Sequence, residues 1–229
     1  MNIFEYLKNN SYPGRGIIVG MHDNKKVIAY FIMGRSENSR NRVFKKDNDT
    51  LYTKAFDESK VEDPSLIIYN CIRFFDSKTI VTNGNQTDTI YDYLSDGKSF
   101  KNALDTREYE PDAPSYTPRI SGLLDNDKYY LNILKKKDEE CLRLYYEYSY
   151  LNNKGHFIST YDHDGNPLPS FSKDPIEVDI DLDIEDFSNE LWNSLNEDNK
   201  ISLYVRYYDE NDYKDVLINK KELVWKNLN

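Results

Sequence analysis

Three arginines lie within one short segment, GRSENSRNRVF, which runs from residue 34 to residue 44. Arg35, Arg40 and Arg42 bring positive charge to a chain whose formal net charge is -10. A guanidinium group is a planar fork of N–H donors, so two or three of them can hold one phosphate in a bidentate way. A nucleic-acid polymer needs many such contacts over a wide basic surface, which an acidic chain does not offer. The segment therefore predicts a site for a small anion.

A second segment places polar groups inside an apolar run. In IIYNCI (67–72), Tyr69 and Cys71 share one face of a predicted strand, whereas Asn70 shares the other face with isoleucines. An asparagine in that position is either a core group with satisfied hydrogen bonds or part of a pocket wall. Taken alone, the segment favours the first interpretation.

Three further segments could contribute to a site, although each has an ordinary structural explanation. TNGNQTD (82–88) runs from a strand end through Gly84 into a helix start, so its backbone N–H groups could receive an anion. Taken alone, the segment favours an ordinary strand–turn–helix connection with a cap. REYEPD (107–112) brings acids near a helix end, which is usually solvated surface. Arg119, in YTPRI, stands where a strand begins, and such a position is usually at the surface.

The composition describes one soluble domain that spans residues 1–229. Hydrophobic residues make up 38% of the chain and charged residues 31%, which is typical of a globular protein with one core. Cys71 and Cys141 are too few for a disulfide framework, so reduced thiols and a cytoplasmic location are expected. The first ten residues, MNIFEYLKNN, lack the pattern of a signal peptide. No apolar run is long enough to cross a membrane.

Two acidic segments could suggest a metal site, but their spacing argues against one. IEVDIDLDIED (176–186) alternates strictly between aliphatic and acidic residues, which predicts a half-buried strand with a carboxylate face. A calcium loop of the EF-hand type needs glycine at its sixth position and a curled backbone. In YDHDGNP (161–167), Pro167 takes the place of that glycine, so a hairpin turn is expected instead. The sequence predicts neither a metal nor a cofactor.

The periodicity of the apolar residues predicts several strand pairs. GIIVGM and VIAYFIMG form a hairpin around the polar residues 22–25, and LIIYNCIRFF (66–75) pairs with TIVTN (79–83). Further strands are expected at RISGLL, YYLNIL and CLRLYYEYSYL, and two more, ISLYVRYY and DVLIN, close the chain.

Three helices are predicted between these strands. One is capped by Thr87 and stops at Gly97, and the next is capped by Ser99. A third helix lies near residues 186–195. Hairpin-linked strands with segregated helices favour an α+β fold, in which antiparallel sheets carry helices on their outer faces.

Taken in order, six motifs of this chain resemble the archaeal-type IMP cyclohydrolase family. They lie between Tyr12 and Gly122, and the acidic portion at 174–229 contains no matching motif. Any one motif is weak, whereas the ordered set is fairly specific. The motifs are GRGIIVG, the Arg-Ser…Asn-Arg loop, Tyr-Asn-Cys, Asn-Gly-x-x-Thr-Asp, Tyr-Glu-x-Asp and Thr-Pro-Arg-Ile.

The resemblance implies a four-layer αββα sandwich of the N-terminal-nucleophile hydrolase type. It also implies ring closure of 5-formamidoimidazole-4-carboxamide ribotide to inosine monophosphate with loss of water. Both reacting groups belong to one molecule, so positioning, proton transfer and oxyanion stabilisation suffice, without a metal or a covalent nucleophile. The partner would be a purine ribotide rather than a nucleic-acid polymer or a membrane, and a homo-oligomer is possible.

The resemblance further assigns roles to individual residues. Tyr69, Glu110 and Arg35 would be catalytic, with Glu110 as the proton-handling carboxylate. Tyr69 and Asn70 would face the reacting carboxamide. The phosphate and the ribotide would be held by Arg15, Arg35, Asn41 and Arg42. The pocket would be completed by Asn83, Gly84, Thr87, Asp88 and Arg119.

The chain departs from the family pattern in two places and leaves two other functions open. Gln86 stands where a histidine commonly precedes Thr-Asp, and residues 37–40 replace a shorter aromatic-proline stretch. Asn2 follows Met1, so the nucleophile of the hydrolase superfamily is not expected. One alternative is an amide hydrolase on the same fold with Cys71 as the nucleophile. The other is a purine-nucleotide-binding protein without catalysis.

Overall fold

The computed structural model of the protein describes residues 1–61, 64 and 68–226. Two antiparallel sheets dominate this part of the chain. Its strands are β1 Arg15–His22, β2 Lys25–Met33, β3 Arg42–Asp47, β4 Thr50–Ala55, β5 Asn70–Phe75, β6 Lys78–Thr82, β7 Arg119–Leu124, β8 Lys128–Lys137, β9 Glu140–Ser149, β10 Lys154–Ser159, β11 Ile176–Asp179, β12 Lys200–Tyr208 and β13 Tyr213–Asn219. The first sheet has the order β11-β10-β1-β2-β12-β13, and the second has the order β3-β4-β5-β6-β7-β8-β9.

The helices are short and lie outside the sheets or at their ends. They are α1 Ile3–Lys8, α2 Glu37–Arg40, α3 Gln86–Ser95, α4 Phe100–Asp105, α5 Ile184–Ser194 and α6 Lys220–Lys226, with a 3₁₀ turn at Glu58–Lys60. Ser99 caps α4 through a reciprocal hydrogen-bonded pair with Asn102, as its sequence position predicts. Gly97, which follows α3, has a positive φ of 72°.

Three apolar clusters hold four layers together. Ile3 of α1 and Phe187 of α5 pack on the outer face of the first sheet. The inner faces of the two sheets meet in a central cluster that includes Ile17 and Tyr30. Ile90 of α3 belongs to a third cluster, which covers the outer face of the second sheet. The α+β architecture of antiparallel sheets with helices outside is confirmed.

The β1–β2 hairpin shows how the residue pattern produces these layers. Ile17 pairs with Tyr30 across the hairpin, and both side chains point into the space between the sheets. Ile18 points the opposite way, toward α1 and α5, because side chains alternate along a strand. Asp23 and Asn24 turn the chain with φ values of 44° and 61°, which are conformations that these residue types tolerate.

Three sequence-based predictions about elements need correction or extension. The alternating segment at 176–186 is a strand only over Ile176–Asp179, because the side chain of Asp183 accepts the backbone N–H of Asp186 and starts α5. Thr87 does not cap α3 but lies in its first turn, and the N-cap residue Asn85 makes no side-chain cap. The β3–β4 hairpin was not predicted.

The remaining strand predictions agree with the structure. The β5–β6 pair turns at Asp76, and β12 pairs with β13 at the end of the chain. Residues 66 and 67 of the predicted LIIYNCIRFF strand lie outside the described residues, and β5 itself begins at Asn70.

Candidate active site

One end of the sandwich gathers the polar residues that the sequence singled out. β1, β3, β5 and β7 begin at this end, and β2, β4, β6 and β10 finish there. The first residues of β1, β3 and β7 are arginines. Gly14 precedes β1 with a φ of 79°, and a Cβ there would clash with Thr160 and the ring of Tyr161. The backbone can therefore bring Arg15 close to the end of β10 only because residue 14 is glycine.

Arg15, Arg42 and Arg119 lie close enough to the carboxyl group of Glu110 to interact with it electrostatically, and we call these four residues the arginine cluster. Their side chains interact electrostatically with one another at the junction of the two sheets. Arg42 is 1% exposed, Glu110 2% and Arg119 6%, so three charged groups lie almost wholly out of water. One carboxyl group faces three guanidinium groups. The cluster therefore has an excess of buried positive charge.

Two N–H groups of the arginine cluster are left without an acceptor among the described residues. They are Nε of Arg15 and Nη1 of Arg42, and both atoms are buried. Nε of Arg42 donates to the carbonyl oxygen of Ser39 at 2.9 Å, which fixes the side chain while Nη1 stays unpaired. Buried donors normally have partners, so two unpaired guanidinium N–H groups indicate where an anionic ligand can bind.

The pKa values of the arginines reflect this crowding. Burial, followed by repulsion from Arg15, lowers the pKa of Arg42. Burial alone would also lower the pKa of Arg15, but attraction to Glu110 and to neighbouring phenols raises it overall. Both groups stay charged at neutral pH because the ordinary pKa of a guanidinium is far above 7.

Glu110 is held in place by the loop that connects α4 to β7. Its backbone N–H donates to the carbonyl oxygen of Thr117 at 2.9 Å, and Oδ1 of Asp112 accepts the N–H of Thr117 at 2.6 Å. The hydroxyl of Thr117 lies 2.7 Å from the phenol oxygen of Tyr161, which joins the loop to the other sheet. Burial raises the pKa of Glu110, although Arg15 and Arg119 oppose the shift. A carboxyl group of this kind suits proton transfer better than an exposed one.

Gln86 positions the guanidinium of Arg119 through both ends of its amide group. Its Oε1 accepts from Nη1 of Arg119 at 2.8 Å, while its Nε2 donates to Oδ1 of Asn83 at 3.0 Å. Asn83 in turn holds the start of β7, because it accepts the N–H of Ile120 and donates to the carbonyl oxygen of Pro118. Gln86 therefore joins Arg119 to Asn83, and this role does not require a side chain that gains or loses a proton.

Gly84 leaves the space that this arrangement requires. A Cβ at that position would lie 2.5 Å from Nη1 of Arg119, 2.7 Å from Oε1 of Gln86 and 3.5 Å from Oε1 of Glu110. Any larger residue would push the guanidinium away from the carboxyl group. Gly84, which was predicted as a pocket residue, thus contributes by leaving room for the side chains of Arg119 and Gln86.

Two phenols lie beside the arginine cluster and form a hydrogen bond with each other. The hydroxyl groups of Tyr30 and Tyr69 are 2.9 Å apart, and both side chains are buried. Burial raises the pKa of Tyr69 to about 12, so its hydroxyl keeps its proton at neutral pH and can donate a hydrogen bond. Tyr30 was missed by the sequence analysis. The signal was a single hydroxyl-bearing residue inside the buried run VIAYFIM.

Cys71 lies near Tyr69 but lacks the properties of a nucleophile. It is 0% exposed, and its Sγ lies 3.8 Å from the carbonyl oxygen of Tyr69. Burial raises the pKa of the thiol well above its usual range. Since the thiolate is the attacking species, this environment weakens the amide-hydrolase alternative.

Arg35 and Asn41 lie at the mouth of the cluster and already have partners. Nη1 of Arg35 is 2.5 Å from Oδ1 of Asp164, and its guanidinium lies 5.0 Å from the centre of the Tyr12 ring. Asn41 is 1% exposed and exchanges two hydrogen bonds with the backbone of Asp57. Asn41 therefore fixes the loop, whereas Arg35 is 40% exposed and also donates to the carbonyl oxygen of Gly165 at 3.0 Å.

Three other predicted site residues do not meet the arginine cluster directly. Nδ2 of Asn70 donates to Oδ1 of Asp88 at 2.9 Å, and Arg73 binds the same oxygen at 2.8 Å. Asn70 lies on the opposite strand face from Tyr69, as the alternation of side chains requires. Thr87 shares a hydrogen bond of 2.7 Å with Thr82. These residues join α3 to the strands behind the site.

Two negative findings apply to the described residues. No three histidine, cysteine, aspartate or glutamate side chains there come close enough to form a metal-binding group. No helix in the same part of the chain is long and apolar enough to span a bilayer.

The fold and the site define an α+β protein in which buried arginines with unpaired N–H groups lie near a single buried carboxyl group. A family model described as IMP cyclohydrolase-like protein matches residues 12–212. The chain belongs to this IMP cyclohydrolase-like family, and the match extends well into the acidic portion in which the sequence analysis found no motif.

Curated relatives from methanogens agree with this assignment. The chain is 29% identical over 154 residues to a protein of Methanocaldococcus jannaschii named IMP cyclohydrolase, and the match covers 66% of this chain and 73% of that one. It is 31% identical to an IMP cyclohydrolase of Methanocella arvoryzae, over 57% of this chain and 71% of the relative. An IMP cyclohydrolase of Methanopyrus kandleri is 29% identical over 70% of this chain and 89% of its own length.

Proposed function

We propose that the protein catalyses the closure of 5-formamidoimidazole-4-carboxamide ribotide to inosine monophosphate with release of water, as the final step of the purine ring's synthesis. The observation that carries the proposal is the buried arginine cluster in a member of the IMP cyclohydrolase-like family. An excess of guanidinium charge beside a single carboxyl group suits a substrate that carries a phosphate and needs one proton-transfer group.

The 5′-phosphate is assigned to the unpaired donors of Arg15 and Arg42. Each of these guanidinium groups has an N–H without an acceptor among the described residues, so a phosphate oxygen would satisfy it without breaking an existing bond. Arg35 would join them after release from Asp164. Arg119, which Gln86 orients, would face the other side of Glu110.

Proton transfer is assigned to Glu110. As the carboxamide nitrogen of the substrate attacks the formyl carbon, a C–N bond forms and the nitrogen loses one proton to the carboxylate. Glu110 passes this proton to the formyl oxygen, which becomes a hydroxyl group. The carboxylate then takes the proton of the former formamido nitrogen and gives it to the hydroxyl group, so that the C–O bond breaks, water leaves and a C=N bond forms. A buried carboxyl group with a raised pKa can accept and return protons in this sequence.

The oxyanion of the attack step is assigned to the phenol of Tyr69. Its raised pKa, about 12, keeps the hydroxyl protonated, so it can donate to the oxygen on which charge develops. Tyr30 accepts or donates at 2.9 Å and thereby orients the Tyr69 hydroxyl. No group in this scheme forms a covalent bond to the substrate, and no metal or cofactor takes part.

The finer architecture and the cellular setting are part of the same proposal. Two packed antiparallel sheets between helical layers are compatible with the N-terminal-nucleophile hydrolase-like fold. The cytoplasm is the expected location for this activity. A homo-oligomer stays a prediction that gel filtration with light scattering would test.

The decisive experiment is incubation of the purified protein with the formyl ribotide, with detection of inosine monophosphate by chromatography. We expect product to form faster than in buffer alone, and Glu110→Gln to lower the turnover rate by about 10²–10⁴ with little change in product affinity. Glu108→Gln is the matched control, since this carboxylate lies in the same loop with 67% of its side chain exposed. A wild-type protein that binds the product but forms none would support the nucleotide-binding alternative.

A further inference from the structure

A second basic region lies outside the arginine cluster, and it contains the one arginine of the opening segment that the active site does not use. Arg40 borders a cleft of about 430 Å³ between α2, the end of β4 and the start of α6. We call it the basic cleft. Four cationic side chains line it: Arg40, Lys200, Lys220 and Lys221. None of the three arginines of the arginine cluster lines it, so the two regions are separate sites.

Two of the lysines, Lys200 and Lys220, are held in place before any ligand arrives. Glu197 binds Lys200 at 2.7 Å and Lys220 at 3.2 Å. The side chain of Lys200 is only 6% exposed, and its Nζ lies 3.3 Å from the carbonyl oxygen of Trp192 and 4.5 Å from the centre of that residue's ring. One carboxylate thus positions two ammonium groups, and a preorganised pair loses less entropy when it binds an anion.

The other two cations of the cleft, Arg40 and Lys221, make no ion pair with any described residue. Arg40 donates from Nε to the carbonyl oxygen of Gly34 at 2.9 Å and from Nη2 to the amide oxygen of Asn199 at 3.2 Å, so both its acceptors are neutral. Burial, together with repulsion from Lys60, lowers the pKa of Lys221. Asp57 and Glu37 attract Lys221 without forming an ion pair with it, and Glu37 instead pairs with Lys60 at 3.6 Å.

An aromatic side chain adds a flat apolar surface to the cleft. Phe56 is 37% exposed, and Nζ of Lys221 lies 4.7 Å from the centre of its ring. Ile201 provides further apolar lining. This combination suits a ligand in which an anionic group is joined to a planar ring. The ring can stack on Phe56 while the cations neutralise the anionic group.

We infer that the basic cleft is a second anion site, which binds a phosphate monoester. The phosphate is held by the four cations of the cleft, Arg40, Lys200, Lys220 and Lys221. Phe56 accepts a planar base if the phosphate belongs to a nucleotide, whereas free phosphate uses the cations alone. The inference does not depend on the proposed ring-closing activity, because it rests on residues that the reaction does not use.

Trp192 provides a direct readout of the cleft. The chain contains two tryptophans, so Trp225→Phe leaves Trp192, which contacts Lys200, as the single fluorescent reporter. In that background we would titrate inorganic phosphate, uridine monophosphate and uridine. A pyrimidine nucleotide is chosen because the proposed active site takes a purine ribotide. We expect a saturable fluorescence change with phosphate and with uridine monophosphate, and none with uridine.

Variants assign the signal to the cleft. The double variant Arg40→Gln/Lys221→Gln should weaken binding by about tenfold or more, since hydrogen bonds to charged groups are the strong ones. Lys98→Gln/Lys101→Gln is the charge-matched control, because these two lysines lie at the start of α4, do not line the cleft, and have 52% and 63% of their side chains exposed. Phe56→Ala should weaken uridine monophosphate and leave inorganic phosphate unchanged if the base stacks there.

The outcomes separate the cleft from the arginine cluster. Arg119→Gln removes a cluster guanidinium that has no contact with the loop of Arg40, and it should leave the Trp192 signal intact. The inference is overturned if neither phosphate nor uridine monophosphate gives a saturable change, or if the change persists in Arg40→Gln/Lys221→Gln. Loss of the signal in Arg119→Gln, with an unchanged circular dichroism spectrum, would also overturn it, because the bound anion would then lie in the cluster.

Discussion

At the scale of single residues, Glu110 is subject to two opposing effects. Desolvation favours its neutral form, whereas Arg15 and Arg119 favour its carboxylate, and the balance raises its pKa. The folded protein therefore holds this proton more firmly than the unfolded chain does. Functional sites commonly contain groups with shifted pKa values, because catalytic acids and bases need a pKa that suits the proton they transfer.

This imbalance predicts a pH-dependent stability difference. Above the ordinary value of 4.5 and up to the raised pKa, the folded protein binds more protons than the unfolded one, so stability falls as pH rises through that window. Glu110→Gln cannot ionise and escapes this loss. We expect its Tm, relative to wild type, to increase as pH rises from about 4 to about 8. Calorimetry in a pH series tests this, with Glu108→Gln as control, and a difference independent of pH would contradict it.

Cys71 provides a test of the chemistry at the same scale. Its thiol is fully buried with a raised pKa, and ring closure needs no attacking side chain. Cys71→Ala should therefore keep measurable cyclohydrolase activity and lose about 1 kcal/mol or more of stability from the small cavity. Steady-state kinetics and thermal unfolding measure the two effects. Complete loss of turnover with normal product binding would favour covalent catalysis, as would an acyl adduct on Cys71 in a mass spectrum.

At the scale of elements, the sequence predicted local structure better than it predicted the contacts that build the site. The β1–β2 hairpin and the Ser99 cap follow from short-range patterns, and both are confirmed. The β3–β4 hairpin was missed because its strands mix lysines with apolar residues, so neither strand shows a regular alternation of apolar and polar residues. The strand at 176–186 was predicted too long, since the Asp183 cap overrides the alternating pattern.

In the site, too, individual residues were predicted but the long-range contacts between them were not. The sequence supplied an anion-binding expectation, and the family resemblance supplied the residues, including Arg42 and Glu110. Neither could reveal that Tyr30 would meet Tyr69, or that Thr117 would meet Tyr161 across the two sheets. Those contacts join segments that are 39 and 44 residues apart, so they depend on strand order rather than on local pattern.

The connection between β6 and α3 can be tested through Gly84. A methyl group there would lie 2.5 Å from Nη1 of Arg119, so Gly84→Ala should break the bond to Gln86 and move the guanidinium away from Glu110. We expect product affinity to fall by about tenfold, since a charge-assisted contact is lost, with a smaller effect on stability. Isothermal titration with inosine monophosphate measures the affinity.

Gly97→Ala is the control for that experiment. Its φ of 72° is unfavourable for alanine, but no atom lies within 4 Å of the added Cβ. This variant should lose about 1–2 kcal/mol of stability and keep its affinity. If both glycine variants lost affinity equally, or if neither did, the close approach at Gly84 would not explain how Arg119 is placed.

At the scale of the whole molecule, the uneven distribution of charge is the main feature. The chain has a net charge of -10, yet three arginines occupy the buried junction at one end of the sandwich. The first sheet supplies Arg15, and the second supplies Arg42 and Arg119 at the starts of β3 and β7. Formation of the site therefore requires that the two sheets pack together.

This arrangement predicts that a nucleotide stabilises the protein and that a nucleoside does not. Inosine monophosphate should raise the Tm in a concentration-dependent way, because it binds only the folded form and satisfies the buried N–H groups of Arg15 and Arg42. Inosine at equal concentration should give a much smaller shift. Differential scanning fluorimetry measures both. Equal shifts would contradict the assignment of the arginines to the phosphate.

The unpaired donors of Arg15 and Arg42 also bear on how long each copy of the protein survives. Without an anion, packing the two sheets together places like charges side by side, so transient opening of that end should be comparatively easy. Proteases cut such opened states, and a ligand that closes the site lowers their population. We therefore expect the enzyme to be degraded faster when its ribotides are scarce, which would couple its abundance to purine supply without any dedicated regulator.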